Sequence, residues 1–481
     1  MPWRDISRVE DTMGRDASWG ALRDSVLGLI VPDGGERERV RSFRLRVEGE
    51  LTERLVDAGF RAVAEVHGSA ARGTWLAGEL DIDVFVVLDG GYGREVLPEV
   101  LGVVKGYVGE GWVEAYAEHP YVKADVDGFS VEFIPCFRVD PGEGLVSATD
   151  RTPLHTEFVK DRLAPGMRDE VRLLKRFMKG VGVYGAEVKV GGFSGYLCEL
   201  LVIHLGSFEA VLERAAAWER GEALDPLGGS DPDALRERFG DPLIVPDPVD
   251  QGRNVASAVS ETSFWTLTAA ARAFLEEPRR VFFFPEEAPV EVHRLLEDVR
   301  SRDSSLLFVV VEDGDVEVPD ILWGQLYKSV KAISGFLGKA DFRVMRSTVW
   351  SDEASRHVLV FELEEAVLPG VVRRMGPPVG MEGSGRRFVE VHVGADDTVS
   401  GPWIEGGRWW VEVRRPEPEA RRLLAQALGD GGRDVGVSRG IAERVRRGFS
   451  VLLGDEIEEY LDAEFAVFLD GFLRGRPGWL D

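Results

Sequence analysis

The sequence predicts a multidomain protein of the α+β class, on three observations. Strand-like apolar runs at Arg61–Val66, Leu80–Leu88 and Phe129–Phe137 alternate with helical segments. The pattern turns helical from Gly166 to Leu205. Further on, Leu306–Val311, Leu326–Phe336, Phe342–Val349 and His357–Glu362 read strand, helix, strand, strand, a split-βαβ arrangement. The 481 residues suggest about three domains at ~150 residues each. With 44% hydrophobic and 30% charged residues there is enough apolar material for packed cores and no signature of disorder.

Asp16–Ile30 and Glu36–Gly59 read as helices. In the second, Val40, Phe43, Leu51, Leu55 and Val56 recur at helical spacing, and the chain turns at Gly59. Gly68–Gly78 reads as a loop with a short helix, and Val96–Gly106 as a helix. Asp169–Gly180 is amphipathic, with Val171, Leu174, Phe177 and Met178 on one face. Arg168, Arg172, Lys175, Arg176 and Lys179 gather on the other. Helices are expected again at about Gly195–Leu205 and at Val259–Leu275, and the prolines between Glu277 and Pro285 mark a boundary. The remainder holds Arg-rich loops, a Trp-rich strand (Trp403, Trp409, Trp410) and two terminal helices.

Several function classes drop out. No apolar run approaches the ~20 residues of a membrane helix, and the first residues have no secretory h-region. Cys136 and Cys198 form neither a CxxC pair nor a disulfide framework. A soluble, cytoplasmic protein is expected. Lys and Arg total 58 against 84 Asp and Glu, a net charge of -26 that repels nucleic acid at long range. Local balance differs, because Val371–Arg447 is rich in arginine and net positive. Net charge therefore does not exclude RNA.

The chemistry concentrates in His67-Gly68-Ser69-Ala70-Ala71-Arg72-Gly73-Thr74-Trp75 and the following Glu79-Leu80-Asp81-Ile82-Asp83-Val84-Phe85. Asp81 and Asp83 are two apart in a strand, so both face one side and can share a divalent cation. A Gly-Ser turn opening a short helix offers N–H groups and a hydroxyl to phosphate oxygens. A third carboxylate is then expected on an adjacent strand. Glu132, alone among apolar residues in Ser130-Val131-Glu132-Phe133-Ile134-Pro135, is the candidate. Taken singly, these features are a solvated strand edge, a common turn and an outward-facing glutamate. G-x-x-x-x-G-K loops, H-E-x-x-H helices and nucleophile elbows are absent.

In order and spacing, the three acids and the Gly-Ser turn resemble the polymerase β-like nucleotidyltransferase superfamily. Longer segments resemble the archaeal (class I) CCA-adding tRNA nucleotidyltransferases. They are Gly68–Leu76, Glu118-His119-Pro120-Tyr121-Val122, Asp150-Arg151-Thr152-Pro153-Leu154-His155, Glu170–Lys175, Tyr184-Gly185-Ala186-Glu187 and Gly192-Phe193-Ser194-Gly195-Tyr196-Leu197-Cys198-Glu199-Leu200-Leu201. Asp247-Pro248-Val249-Asp250 with Arg253-Asn254-Val255-Ala256, then Arg373-Arg374-Met375-Gly376-Pro377 and Gly407-Arg408-Trp409-Trp410, follow in the same order. Residues 1–17 look like an extension. The resemblance implies a nucleotidyltransferase head at 1–155, a mostly helical nucleotide-binding neck at 156–277, an α+β body at 278–368 and an α/β, Arg-rich tRNA-binding tail with C-terminal helices at 369–481.

It also implies roles. Asp81, Asp83 and Glu132 would be the catalytic, magnesium-binding carboxylates. Ser69, Arg72, His155, Lys175 and Tyr184 would contact the nucleotide and its triphosphate, and Arg253 the base of both CTP and ATP. The chain departs from the family in having Asp at the first carboxylate position and Glu at the third. The tRNA 3′-hydroxyl would attack the α-phosphorus in line, releasing pyrophosphate. Arg373, Arg374, Arg386, Arg387, Arg414 and Arg415 come in pairs separated by Gly- and Pro-rich loops, which suits contact with the backbones of a tRNA acceptor stem. A homodimer is implied by the resemblance alone. Two alternatives stay open: another RNA 3′-terminal transferase such as a poly(A) polymerase, and an RNA-binding protein on a degenerate catalytic fold.

Overall fold

A computed structural model describes residues 19–116, 119–139, 148–285, 289–315 and 317–480. The N-terminal extension, the expected helix start at Asp16, and Glu118 lie outside the described residues. The chain divides into two compact units, Met1–Glu287 with Pro477–Asp481, and Ala288–Arg476.

The first unit runs α1 (Trp19–Ile30), α2 (Gly34–Asp57), β1 (Ala62–Val66), α3 (Gly68–Arg72), β2 (Asp81–Leu88), α4 (Leu97–Val108), β3 (Val113–Tyr116), β4 (Pro120–Val126) and β5 (Phe129–Phe137). The strands form one sheet in the order β1-β2-β5-β4-β3. The β2–β5 pair is parallel and the others are antiparallel. Asp33 caps α2 by accepting from the Glu36 N–H at 2.7 Å. The helix lays Phe43, Val47, Leu51 and Leu55 on Ala62, Ala64, Val66, Ile82, Val84, Val86 and Leu88. Each buried Val, Leu, Ile or Phe side chain contributes about 1.5–3 kcal/mol. Because strand side chains alternate, filling that face with Ile82 and Val84 sends Asp81 and Asp83 to the opposite one.

The edge hairpin of β3 and β4 was not foreseen. Its apolar alternation (Val122, Ala124, Val126) is interrupted by charged residues and begins at a proline. The turn from β4 to β5 uses Asp127 and Gly128 at φ 54° and 79°, the two-residue connection that suits twisted strands.

The unit continues with α5 (Arg151–Arg162), α6 (Arg168–Gly180), α7 (Gly195–Leu205), α8 (Phe208–Ala216), β6 (Glu222–Ala223), α9 (Pro232–Arg238), β7 (Leu243–Ile244), β8 (Pro246–Asp247), β9 (Asp250–Asn254) and α10 (Glu261–Glu276). His155 therefore stands on a helix. Pro153 falls within the first turn of α5, where its missing N–H has no helical partner to lose. Phe177, Phe208, Phe264, Phe274, Phe282, Phe283 and Trp218 build the helical core. Helix α6 passes so close to the backbone of Phe282 that a Cβ at Gly180 would collide with its carbonyl. Trp479 stacks on Phe282 at 5.8 Å, which returns the chain's end to this core.

The second unit holds α11 (Val292–Ser301), β10 (Ser305–Glu312), α12 (Pro319–Lys339), β11 (Val344–Ser351), β12 (Arg356–Leu363), β13 (Val371–Pro378), α13 (Glu382–His392), β14 (Thr398–Glu405), β15 (Arg408–Arg414), α14 (Ala420–Leu428), α15 (Arg439–Arg447), β16 (Ser450–Leu453) and α16 (Ala463–Arg474). The expected strand, helix, strand, strand order is there, and β16 joins the same sheet, ordered β11-β12-β10-β16. A separate sheet, β13-β15-β14, carries α13. The tryptophans occupy two paired strands, not one: Trp403 faces Trp410 and Ile404 faces Trp409. Two of the arginine pairs likewise lie on elements, Arg373 and Arg374 on β13 and Arg386 and Arg387 on α13, whereas Arg414 ends β15 and Arg415 follows it. Among the described residues no single helix is long and apolar enough to cross a membrane.

Candidate active site

Parallel pairing of β2 with β5 sets Asp83 directly beside Glu132 and Asp81 beside Ser130. Glu132 also stands opposite Lys123 of β4, whose Nζ lies 3.2 Å from its Oε1. At the C-terminal end of β1 the His67 N–H donates to the Asp83 carbonyl at 2.9 Å. Gly68 follows at φ 64°, and a Cβ there would collide with the Asp83 carboxylate. Glycine is thus required twice over, by its backbone angle and by the acid packed on it.

Burial pushes the Asp83 carboxyl up to about 6, and the neighbouring charges of Glu132 and Asp81 add to it against the pull of Arg72. Among the described residues no three His, Cys, Asp or Glu side chains close on one point, and Glu132 is turned toward Lys123. The donor set consists of hard carboxylate oxygens crowded on one face, and a cation would relieve their mutual repulsion. These residues fit a hard divalent cation.

Beside the acids, α3 carries Ser69 and Arg72. Ser69 is half-buried, and its carbonyl accepts from the N–H groups of Gly73 and Thr74 at 2.8 and 3.1 Å. Arg72 is buried, with Nε 3.0 Å from Oε2 of Glu199 on α7. The hydroxyl of Thr74 donates to the other Glu199 oxygen at 2.5 Å, and Lys175 donates to the Thr74 carbonyl at 3.1 Å. The basic face of α6 is therefore buried at Lys175. Arg172 is buried there too, donating to the carbonyls of Gly73 and Trp75. Burial lowers the Lys175 ammonium against the raising influence of Glu199, and raises the Tyr184 phenol. A Cβ at Gly195 would lie 3.0 Å from the Tyr184 Oη and 3.4 Å from the Lys175 Nζ, so the glycine makes room for both.

Tyr196 links this cluster to a second one. The Arg72 guanidinium lies 5.9 Å from its ring centre, and the His155 imidazole stacks on it at 4.0 Å. His155 Nε2 is 2.9 Å from Oδ2 of Asp247, and Arg253 Nη1 donates to that same oxygen at 2.9 Å. Burial holds the imidazole below its ordinary range, so a neutral ring donates to an ionised Asp247. The structure thus joins Ser69, Arg72, Lys175, Tyr184, His155 and Arg253 into one region, with Arg72 near enough to Asp83 to lower its pKa.

Three families match successive stretches of the chain: the nucleotidyltransferase domain at residues 48–155, the second domain of tRNA nucleotidyltransferase at 169–284, and the C-terminal domain of CCA-adding enzyme at 302–454. The CCA-adding enzyme of Methanosarcina mazei is 38% identical over 93% of this chain and 97% of its own length. That of Halobacterium salinarum is 38% identical over 94% and 98%. The chain belongs to the CCA-adding enzymes. A solved structure of the Cid1 poly(U) polymerase with magnesium and 3′-dATP aligns at TM-score 0.44 and 16% identity, over 56% of this chain and 99% of that one. Nucleotidyltransferases typically use a divalent metal, in keeping with the acids on β2 and β5.

Sequence reasoning did not single out Glu199, Thr74, Tyr196 or Asp247 in this CCA-adding enzyme. The available signal was an acid inside an apolar helix run (Leu197-Cys198-Glu199-Leu200-Leu201), since a buried carboxylate needs partners. In the second unit, Arg374 and Arg415 both pair with Asp341, at 2.8 and 2.5 Å. Arg373 pairs with Glu405 and lies over the Trp410 ring at 4.2 Å. Arg386, Arg387 and Arg414 are exposed.

Proposed function

We propose that this chain adds CCA to tRNA 3′ ends from CTP and ATP without a nucleic-acid template. Membership in the CCA-adding enzymes supports the reading. The observation that carries it is the adjacency of Asp83 and Glu132 on the sheet face that also bears Asp81, beside the Arg72 and Lys175 cluster. The tRNA 3′-oxygen bonds to the α-phosphorus as the bond to the bridging oxygen breaks and pyrophosphate leaves. Asp81, Asp83 and Glu132 would hold magnesium, which would supply positive charge to the attacking oxygen and the leaving pyrophosphate. Arg72 and Lys175 bring positive charge to the triphosphate, and Ser69 offers its hydroxyl to it. Arg253 presents N–H donors to acceptor atoms shared by cytosine and adenine, and His155 and Tyr184 bound the nucleotide. Asp81 and Glu132 keep the carboxylate chemistry of the family positions they fill, with side chains one methylene shorter and longer.

The test offers purified protein and magnesium a tRNA ending before CCA, with CTP alone, ATP alone or both. Two nucleotides from CTP alone and a third only with ATP present is the expected result. Long tails from ATP alone would replace this reading with poly(A) polymerase. tRNA binding without incorporation over a wide range of salt and temperature would replace it with a degenerate, RNA-binding fold.

A further inference from the structure

Asp247 is fully buried, yet it belongs to none of the roles above. Its Oδ2 lies 2.9 Å from both His155 Nε2 and Arg253 Nη1, and its Oδ1 accepts from the Val249 N–H at 3.1 Å. A carboxylate so deep is tolerated only when it is paired, and among the described residues its partners are His155, Arg253 and its own turn. The β8–β9 hairpin is docked on α5 by a second pair, Arg151 with Asp250 at 2.9 Å. Arg151 and His155 are four residues apart, on one face of that helix. Beside Arg253, the Asn254 amide accepts from the Val245 and Ala256 N–H groups and donates to Asp241 and the Leu243 carbonyl. The backbone of Arg253 is therefore anchored by Asn254 and its guanidinium by Asp247. Its side chain keeps 36% exposure, which leaves N–H donors open to a ligand.

We propose that Asp247 is a positioning residue that fixes the plane of the Arg253 guanidinium for base readout and couples it to His155 on the triphosphate side. A planar fork reads a base edge only when its orientation is set, and one shared oxygen makes any movement of either donor felt by the other. The proposal rests on the assignment of Arg253 and His155 to the nucleotide site.

Steady-state incorporation into tRNA by the full-length enzyme tests it, with CTP, ATP and UTP compared. Asp247→Asn keeps the shape and removes the charge. The KM for CTP and ATP should rise about tenfold while kcat stays within about threefold, and UTP misincorporation should rise about tenfold relative to CTP. Arg253→Lys added to Asp247→Asn should cost much less than the product of the two single effects. Wild-type KM and wild-type UTP rejection in Asp247→Asn, or effects that multiply, would overturn the coupling. Should Asp247→Asn fail to fold by circular dichroism, the cycle of Arg253→Lys with His155→Gln decides. Non-additive effects on KM support the proposal and independent ones overturn it. Unchanged KM in both Arg253→Ala and His155→Ala would instead remove the nucleotide-site assignment itself.

Discussion

The guanidinium of Arg72 lies 3.0 Å from the Glu199 carboxylate, with both side chains buried and the two residues far apart in sequence. That pair, with Thr74, fastens the loop after α3 to α7 in front of the acids. Removing the charge from Glu199 leaves a buried cation without its partner. Glu199→Gln should lose about 3–5 kcal/mol of stability, read as a lower urea midpoint at unchanged slope. A midpoint equal to wild type would mean that Arg72 finds solvent or another acid.

Gly195→Ala tests how tightly the Lys175 and Tyr184 heads are seated. The added methyl would stand 3.0 Å from the Tyr184 hydroxyl, which must give by a few tenths of an ångström, and 3.4 Å from the Lys175 ammonium, in van der Waals contact. Apparent CTP affinity should fall several-fold by isothermal titration, with thermal stability nearly intact because the first turn of α7 tolerates alanine. Unaltered CTP binding would separate these two side chains from the nucleotide.

Acid sensitivity should run through His155. Its folded pKa lies below the ordinary value of 6.5, chiefly because the ring is buried. As pH falls through 6.5 the unfolded chain takes up a proton that the folded ring refuses, so stability is full above that value and declines below it. Asp83, raised to about 6, acts in the opposite sense over a similar range. It is common to both proteins in the comparison. Between pH 7 and pH 5, His155→Gln should therefore lose less stability than wild type in parallel urea titrations. Parallel losses would contradict the buried neutral imidazole.

Asp83→Asn should abolish nucleotide incorporation at every magnesium concentration while leaving tRNA affinity nearly unchanged in filter binding. The acid sits between Asp81 and Glu132 on the sheet face, far too central to the donor set for an amide to replace it. Full activity in this variant would remove the metal assignment.

Arg386 and Arg387 stand exposed on α13, with Glu382 near Arg386 at 3.7 Å. If they meet RNA phosphates, Arg386→Ala with Arg387→Ala should weaken tRNA binding and flatten its log–log salt dependence, by about 0.7–0.9 for each phosphate no longer neutralised. Binding with the wild-type slope would place the tRNA elsewhere.

Local periodicity made a large part of this molecule legible. Alternation placed Asp81 and Asp83 together on one side of a strand, and the helical repeat of Val171, Leu174, Phe177 and Met178 marked the buried side of α6. Both follow from backbone geometry over a few residues, which holds wherever the segment packs. Periodicity also gathered Arg172 and Lys175 on the other side of α6, without saying what that side packs against. Periodicity gives direction around an axis, and only the neighbouring Gly73–Trp75 loop made that direction an interior.

The sequence by itself determined the family and the order of the segments, and it put Asp81 and Asp83 on one side of one strand. Tertiary structure alone decided that Glu132 stands beside Asp83, because strand register depends on how two distant runs pair their backbones. It also decided that Glu199 answers Arg72 and that Asp247 answers both His155 and Arg253. An acid's partner is whichever donor the folded backbone brings within about 3 Å as water is excluded, and no local pattern encodes that meeting.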